Sequence, residues 1–415
     1  MIHATPDPRA AEAPAVLVTG AAAGIGRAAA LRLAHAGWRC VLVDANAEAL
    51  QQLQADWPQT APPPLGLVAD LTDAAQIARL AQAVPPLDAL INNAGLSAGG
   101  AGALSGSEDG AAARLLALNL AAPARLVQAC APRLRPGARI VNVASGAGLR
   151  AIPWRGLYSP SKAGLIAQTR ALDRARPGWS VTALSPGFVR TELVQGLIDS
   201  GRLNPARALA KVPLGRMAEP REMADALCFL ASPAARLLTG QLLVLDGGSS
   251  IYGGSEALPA AERPVLPFDL PMALRCVDLR APAWGLAADE PANDAAYQAV
   301  LDGAALDAAP GALLETVLRS ARRFRESRDA QASLTLLLPP PASDLPWEQA
   351  GDAAAARMLI ATLAAEWGAR GLRINALELA ESTAPGDCRP LLHYVAGARA
   401  QFLTGQVLKL GAAPH

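Results

Sequence analysis

Short apolar runs recur along the first 250 residues, at positions 15–19, 40–43, 67–69, 87–91, 140–144, 181–184 and 241–245. Runs of this length bounded by glycine, proline or acidic residues read as buried strands. Between them, apolar residues return at helical spacing, which predicts helices over 27–36, 114–134, 162–174 and 219–231. Strands alternating with helices imply an α/β fold, a doubly wound parallel sheet. The stretch 192–218 is polar and mixed, and its length after a strand suits a lid over a substrate.

Breaks in the pattern carry the chemistry. Strand 15–19 runs into Gly20-Ala21-Ala22-Ala23-Gly24-Ile25-Gly26 and then a helix. Glycines there let backbone approach a pyrophosphate, and the helix N-terminus offers it free N–H groups; tight strand-to-helix packing is the plainer use of such a turn. The second strand ends in Asp44, where an acid accepts from adenosine ribose hydroxyls, repels a 2′-phosphate, or simply caps the next helix. With no Lys or Arg at 21–23 or 45, this favours NAD over NADP. Asn92-Asn93-Ala94-Gly95 ends the fourth strand, to brace the sheet or border a cofactor. Asn119 and Pro123 interrupt the helix predicted over 114–134, a local conflict that points to function or to a plain kink. Ser145 follows strand 140–144, where open α/β sheets place ligands. Tyr158 and Lys162, four apart, share a helix face, and an ammonium beside a phenol favours the phenolate. That pair suits proton exchange with an alcohol oxygen, although isolated pairs at this spacing are common surface features.

Composition narrows the classes. The chain has 415 residues, 52% hydrophobic and 18% charged, which implies two domains and a well-buried, ordered protein. A net charge of +1 gives no footprint for nucleic acid or an anionic membrane. Five scattered cysteines without a CxxC read as buried thiols of a reducing compartment, and four scattered histidines make no metal site. Without an apolar leader or an unbroken 18-residue apolar run, the expected location is cytoplasmic. Residues 1–13 read as a disordered tail.

At residues 14–250 the chain resembles the short-chain dehydrogenase/reductase family in its compact form of about 250 residues, a Rossmann-like fold. The resemblance rests on TGAAAGIG at 19–26, Asp70, NNAG at 92–95, Asn119, Ser145, YSPSK at 158–162 and SPGFVRT at 185–191. It implies hydride transfer between nicotinamide and a carbon bearing an alcohol or carbonyl. By that resemblance Tyr158 exchanges the proton, Ser145 hydrogen-bonds the substrate oxygen, and Lys162 holds the ribose and lowers the tyrosine pKa. Asn119 positions a water that links Lys162 to solvent. Thr191 binds the carboxamide, Asp70 the adenine edge, and Asn92 the ribose side. Gly20, Ala23, Gly24, Ile25, Gly26, Asp44, Leu71, Ala94, Gly95, Pro186, Gly187 and Val189 complete the cofactor set. The expected pocket wall is Leu96, Ser97, Gly146, Ala147, Gly148, Ile152, Trp154 and Phe188, small or apolar, which suits an uncharged alicyclic or acyl-chain substrate; Arg155 could face an anionic group.

The second half reads as a truncated, degenerate Rossmann-like copy, residues 265–415 after a linker at 251–264. Leu238-Thr239-Gly240-Gln241 recurs as Leu403-Thr404-Gly405-Gln406, and Val181–Leu184 matches Ile374–Leu377. Tyr158 falls on Asp352, Lys162 on Ala356 and Asn119 on Val317, while prolines 339–341 replace the serine region. The first two βα units are read as absent from this copy, which is expected to bind no cofactor. Helices over 312–328 and 352–369 match those around Asn119 and Lys162, through which family members pair. The second half is therefore expected to dock on those helices as a built-in partner, with homodimers of the chain as a further step. The leading expectation is an NAD-dependent dehydrogenase of secondary alcohols or ketones. The alternatives are an NADP-dependent 3-oxoacyl reductase and a non-catalytic NAD sensor or scaffold.

Overall fold

The structure, a computed structural model, describes residues 13–97, 109–152, 155–201, 203–286, 296–340 and 350–411. In the first half, strands β1 (Ala15–Thr19), β2 (Arg39–Asp44), β3 (Leu65–Val68), β4 (Leu87–Asn92), β5 (Leu134–Val143), β6 (Ser180–Pro186) and β7 (Leu242–Leu245) form one parallel sheet. Its order is β3-β2-β1-β4-β5-β6-β7, so the strand order reverses between β1 and β4. Helices α1 (Gly24–His35), α2 (Ala47–Ala55), α3 (Ala74–Ala83), α4 (Asp109–Leu116), α5 (Ala122–Cys130), α6 (Tyr158–Ala175), α7 (Glu192–Asp199), α8 (Pro205–Leu209) and α9 (Pro220–Leu230) fill the connections. The expected lid region contains α7 and α8.

Two elements show how local sequence sets the ends. Asp73 caps α3 by accepting from the Ala75 and Gln76 N–H groups. Pro220 stands at the start of α9, and Glu219 with Glu222 closes a capping box there. The run Gly110–Arg133 is apolar and long enough to cross a membrane by composition, but it packs against α3 and α6 and holds the buried Asn119.

A second parallel sheet follows: β8 (Met272–Val277), β9 (Tyr297–Asp302), β10 (Ala332–Leu338), β11 (Arg373–Glu378) and β12 (Val407–Lys409), in sequential order, with α10 (Leu313–Ser327), α11 (Ala350–Trp367) and α12 (Arg389–Ala396). These strands succeed one another as β1, β4, β5, β6 and β7 do in the first sheet. If the second sheet is set on the first by strand order, β2 and β3 are left unmatched, where the sequence reading has the first two βα units absent. Asp352, at the position matched to Tyr158, accepts from the Leu313 and Leu314 N–H groups and so caps α10.

The contact between the halves differs from the sequence expectation. It runs through α9 and α12, not through the helices around Asn119 and Lys162. Phe229 of α9 stacks on Tyr394 of α12 with ring centroids 4.1 Å apart. Buried Asp225 accepts from Arg32 at 2.6 Å and from Arg399 at 3.2 Å. The physical reason lies in α9 itself, where Glu222 through Leu230 are all buried. A helix apolar on several faces needs cover on each. The first half covers α9 with α1, and the second half covers it with the 398–400 turn after α12. One apolar cluster therefore extends from β1 and α9 into Leu391, Tyr394 and Phe402. The stretch 251–264 also packs: Leu258 donates to Ala210, Ala261 to Gly215 and Glu262 to Ala369.

Candidate active site

The C-terminal ends of β1, β4, β5 and β6 gather the motifs beside the strand reversal, where a doubly wound sheet opens a crevice. After β1, Gly20 and Gly24 take positive φ of 63° and 51°. A Cβ on Gly26 would stand 1.9 Å from the Gly20 carbonyl oxygen, so the turn can press α1 against β1 only with glycine there. Ala23, the N-cap of α1, offers no capping side chain, and no acid lies in the first turn. The Gly24 N–H pairs with the Glu192 carboxylate, and the first-turn N–H groups of Ile25 and Gly26 remain as backbone donors for an anion beside Ala23. Asp44 accepts from the Ala22 N–H at 2.9 Å and the Asn46 N–H at 2.9 Å, which fixes its carboxylate beside this turn. Both the glycine cradle and the open donors fit a dinucleotide.

At β4 the two asparagines divide the work. Asn93 donates its amide to the Thr19 and Gly20 carbonyls and so ties the glycine turn to β4. Thr19 accepts from the N–H groups of Asn93 and Ala94. Asn92 was expected on the ribose side, but its buried side chain donates to Asn142 on β5, which in turn donates to Thr169. Its amide is committed inside the sheet because the strand period turns it inward. Asp70 accepts from Thr72 twice, and these bonds hold its carboxyl below the usual range; Leu71 beside it is buried.

Ser145 ends β5 in extended backbone and caps the short turn Gly146–Gly148 by accepting from Ala147. That turn lies on α6: a Cβ at Gly148 would be 2.9 Å from the Lys162 carbonyl. The close approach brings Ser145 into hydrogen-bond contact with the Tyr158 phenol. Burial pushes the Tyr158 pKa up; Ser145 and Arg155 pull against it. Lys162, expected to lower it, is not among the groups that act on it in this structure. Lys162, buried, donates to the Val143 carbonyl at 2.9 Å, and burial brings its own pKa down to about 8. Asn119 sits in a π-helical turn, Ala117–Ala121, between α4 and α5. Its side chain accepts from Leu96 N–H at 2.8 Å and donates to the Leu96 carbonyl and to Ser161. Gly95 fits between Asn119 and Lys162: a Cβ there would meet Asn119 Oδ1 at 3.2 Å and Lys162 Nζ at 3.5 Å. Ser145, Tyr158, Lys162 and Asn119 therefore form one connected site.

After β6, Gly187 donates to Leu245, Val189 bridges to Ala218, and Thr191 caps α7 by accepting from Val194. Of the expected pocket wall, Ala147 is buried, Ser97 and Phe188 are half-buried, and Leu96 and Ile152 are exposed at 37% and 43%. Trp154 lies outside the described residues. The sequence reading missed Thr19, Asn93 and Ser161 as supports, although all three stand inside the quoted motifs. It also missed Glu192, whose carboxylate pairs with Arg27 and lies against Gly24.

A family model described as Enoyl-(Acyl carrier protein) reductase matches residues 20–250. An uncharacterized short-chain type dehydrogenase/reductase of Sinorhizobium fredii is 39% identical over 242 residues, 56% of this chain and 43% of that protein. The chain thus spans less than half the length of that relative. A 3-oxoacyl-[acyl-carrier-protein] reductase of Thermotoga maritima is 32% identical over 248 residues, 57% of this chain and 98% of its own. Among solved structures, levodione reductase aligns with a TM-score of 0.54 at 29% identity, over 58% of this chain and 98% of that one. An actinorhodin polyketide ketoreductase variant with NADPH aligns with a TM-score of 0.53 at 30% identity, over the same shares.

Proposed function

Since the chain belongs to the short-chain dehydrogenase/reductase family of NAD(P)-binding oxidoreductases, we propose that it transfers a hydride between NAD(H) and a secondary alcohol or ketone. The observation that carries this reading is the Ser145–Tyr158 contact, backed by Lys162 and Asn119 at the end of β5. The bound nicotinamide would supply the hydride acceptor or donor. Tyr158 would hold or take the proton at the substrate oxygen, and Ser145 would orient that oxygen. Lys162 would hold the ribose. A π turn leaves a backbone carbonyl without its usual helical partner, and the turn at Asn119 would use it to hold the relay water. Gly20, Gly24 and Gly26 with the α1 N-terminus would take the pyrophosphate, and Thr191 the carboxamide.

The preference for NAD rests on Asp44, fixed beside the glycine turn where a 2′-phosphate would meet its negative charge. The relatives named as 3-oxoacyl reductases and the NADPH-bound ketoreductase favour the second reading, an NADP-dependent 3-oxoacyl-type reductase. A sensor without turnover is disfavoured, because it needs no proton-transfer contact. Nicotinamide absorbance, followed with NAD or NADP and a panel of secondary alcohols and ketones, tests all three. NAD-linked turnover should fall at least about 100-fold in Tyr158→Phe. Tight NAD binding with no turnover across the panel would sink the enzyme reading, and preference for NADP would sink the argument from Asp44.

The second half is read as a degenerate copy acting as a built-in partner on α9. Matching Leu238 to Leu403 gives an offset of 165, and at that offset Phe229 corresponds to Tyr394, the ring it stacks on. A residue meeting its own equivalent is what a two-fold pairing of copies would produce, and this supports the reading. The flanking bonds pair similar places one residue out of register: Gly247 donates to Phe402, while Gly411, which corresponds to Asp246, donates to Leu237, which corresponds to Phe402.

A further inference from the structure

Phe402 lies in the second half, far along the chain from the motifs above, yet it rests on the turn that follows β7. Its carbonyl accepts from the Gly247 N–H at 3.1 Å. Its ring covers Gly247 so closely that a Cβ there, where φ is 67°, would stand 2.7 Å from the ring edge. The Arg216 guanidinium sits 4.8 Å from the ring centroid and forks onto buried Glu222 at 2.7 and 2.8 Å. Phe402 is itself only 1% exposed, and Arg373 holds its turn by donating to the Ala400 and Leu403 carbonyls on either side.

The turn under Phe402 reaches the site in three directions. Gly187, after β6, packs on Asp246 with no room for a side chain: a Cβ would be 2.7 Å from Asp246 Cα. Ser249 accepts from Arg150, in the loop between Ser145 and Tyr158, at 2.6 Å. Leu214, just beyond α8, donates to the Gly247 carbonyl at 3.1 Å. Asp246 ties the turn together by accepting from Gly248, Ser249 and Ser250. A shift of this turn would move the Gly187 loop, the Arg150 loop and the end of the lid at once. Gly247 is held between the Phe402 ring and Val212, whose Cγ1 would stand 2.8 Å from a Cβ there, and the turn's two positive-φ glycines, Gly247 and Gly248, have little stiffness of their own.

We propose that Phe402 is a positioning residue through which the second half fixes the nicotinamide end of the site. This rests on the dinucleotide reading above and gives the second half a task beyond bulk stability. The adenine and pyrophosphate end stands on Gly20–Gly26 and Asp44, which belong to other strands, so the effect should be confined to one end of the ligand.

The experiment compares NAD with ADP-ribose, which lacks only the nicotinamide, by calorimetric titration of the full chain. Phe402→Leu keeps the site apolar at lower volume. Phe324→Leu serves as the control, since Phe324 is buried in the second half's own core against Trp367. The expected result is about a fivefold or larger loss of NAD affinity in Phe402→Leu, with ADP-ribose affinity unchanged and with both ligands unaffected in Phe324→Leu, on the premise that the ring's contact is worth about 1 kcal/mol to the nicotinamide end. Equal losses for both ligands, equal losses in both variants, or no loss would overturn the proposal. Wild type that binds NAD normally but turns nothing over would fail the enzyme reading and leave this comparison standing. Wild type that binds neither ligand would overturn both.

Discussion

At the scale of residues, burial opposes the charges the chemistry uses. Lys162 is held near 8 by desolvation, well under its ordinary value, with the Val143 carbonyl as its hydrogen-bond partner. Between about pH 8 and 10 the folded chain therefore binds fewer protons at this site than the unfolded chain, and folding gains as pH rises. Compared with Lys162→Met, which does not titrate, wild type should gain roughly 3 kcal/mol between pH 7 and 11. Denaturant unfolding of both proteins at the two pH values reads this directly, and taking the difference removes the opposing effect of the buried thiols. Tyr158 moves the other way, since burial raises its pKa while Arg155 and Ser145 restrain it. On the proposed function, alcohol oxidation would need the phenolate and should climb with pH beyond neutrality. Arg155→Ala should displace that limb to higher pH, and an unmoved limb would exclude Tyr158 as the titrating base.

At the scale of elements, the turn between β1 and α1 and the π turn at Asn119 do most to shape the crevice. Gly26→Ala would force its Cβ onto the Gly20 carbonyl; it should destabilise by about 1–3 kcal/mol and weaken dinucleotide binding together. An unchanged affinity would show that the cradle is not built by that contact. These elements were legible in the sequence for different reasons. The glycines announce a backbone that must be approached closely, and the asparagine inside an apolar helix announces a local conflict that the π turn resolves. The Asn92 side chain was not legible in this way. Its neighbour Asn93 carries the same amide, and only the strand period decides which one faces the glycine turn. The pairing face of the second half was also hidden, because the burial of α9 on several sides depends on partners 165 residues away.

At the scale of the whole molecule, the second half closes the apolar surface that the first half leaves on α9. A chain ending at residue 264 should expose Phe229 and its neighbours, and should aggregate or bind hydrophobic dyes; a soluble, dye-silent fragment would show that the first half covers α9 unaided. The Phe229–Tyr394 stack has a consequence of its own. Where two identical chains meet on an axis, every substitution there strikes both sides at once, so only changes tolerated in duplicate survive. Within a single polypeptide the two sides can drift separately. On the proposed reading of a copy, Tyr394 would carry such one-sided drift: its hydroxyl is buried without a hydrogen-bond partner among the described residues, where Phe229 has none to bury. Tyr394→Phe should therefore be neutral or stabilising by up to about 1 kcal/mol, measurable as an unchanged or higher unfolding midpoint. On that same reading, a pair that began under a rule of matched inheritance would have been freed to specialise, one side for catalysis and the other for support.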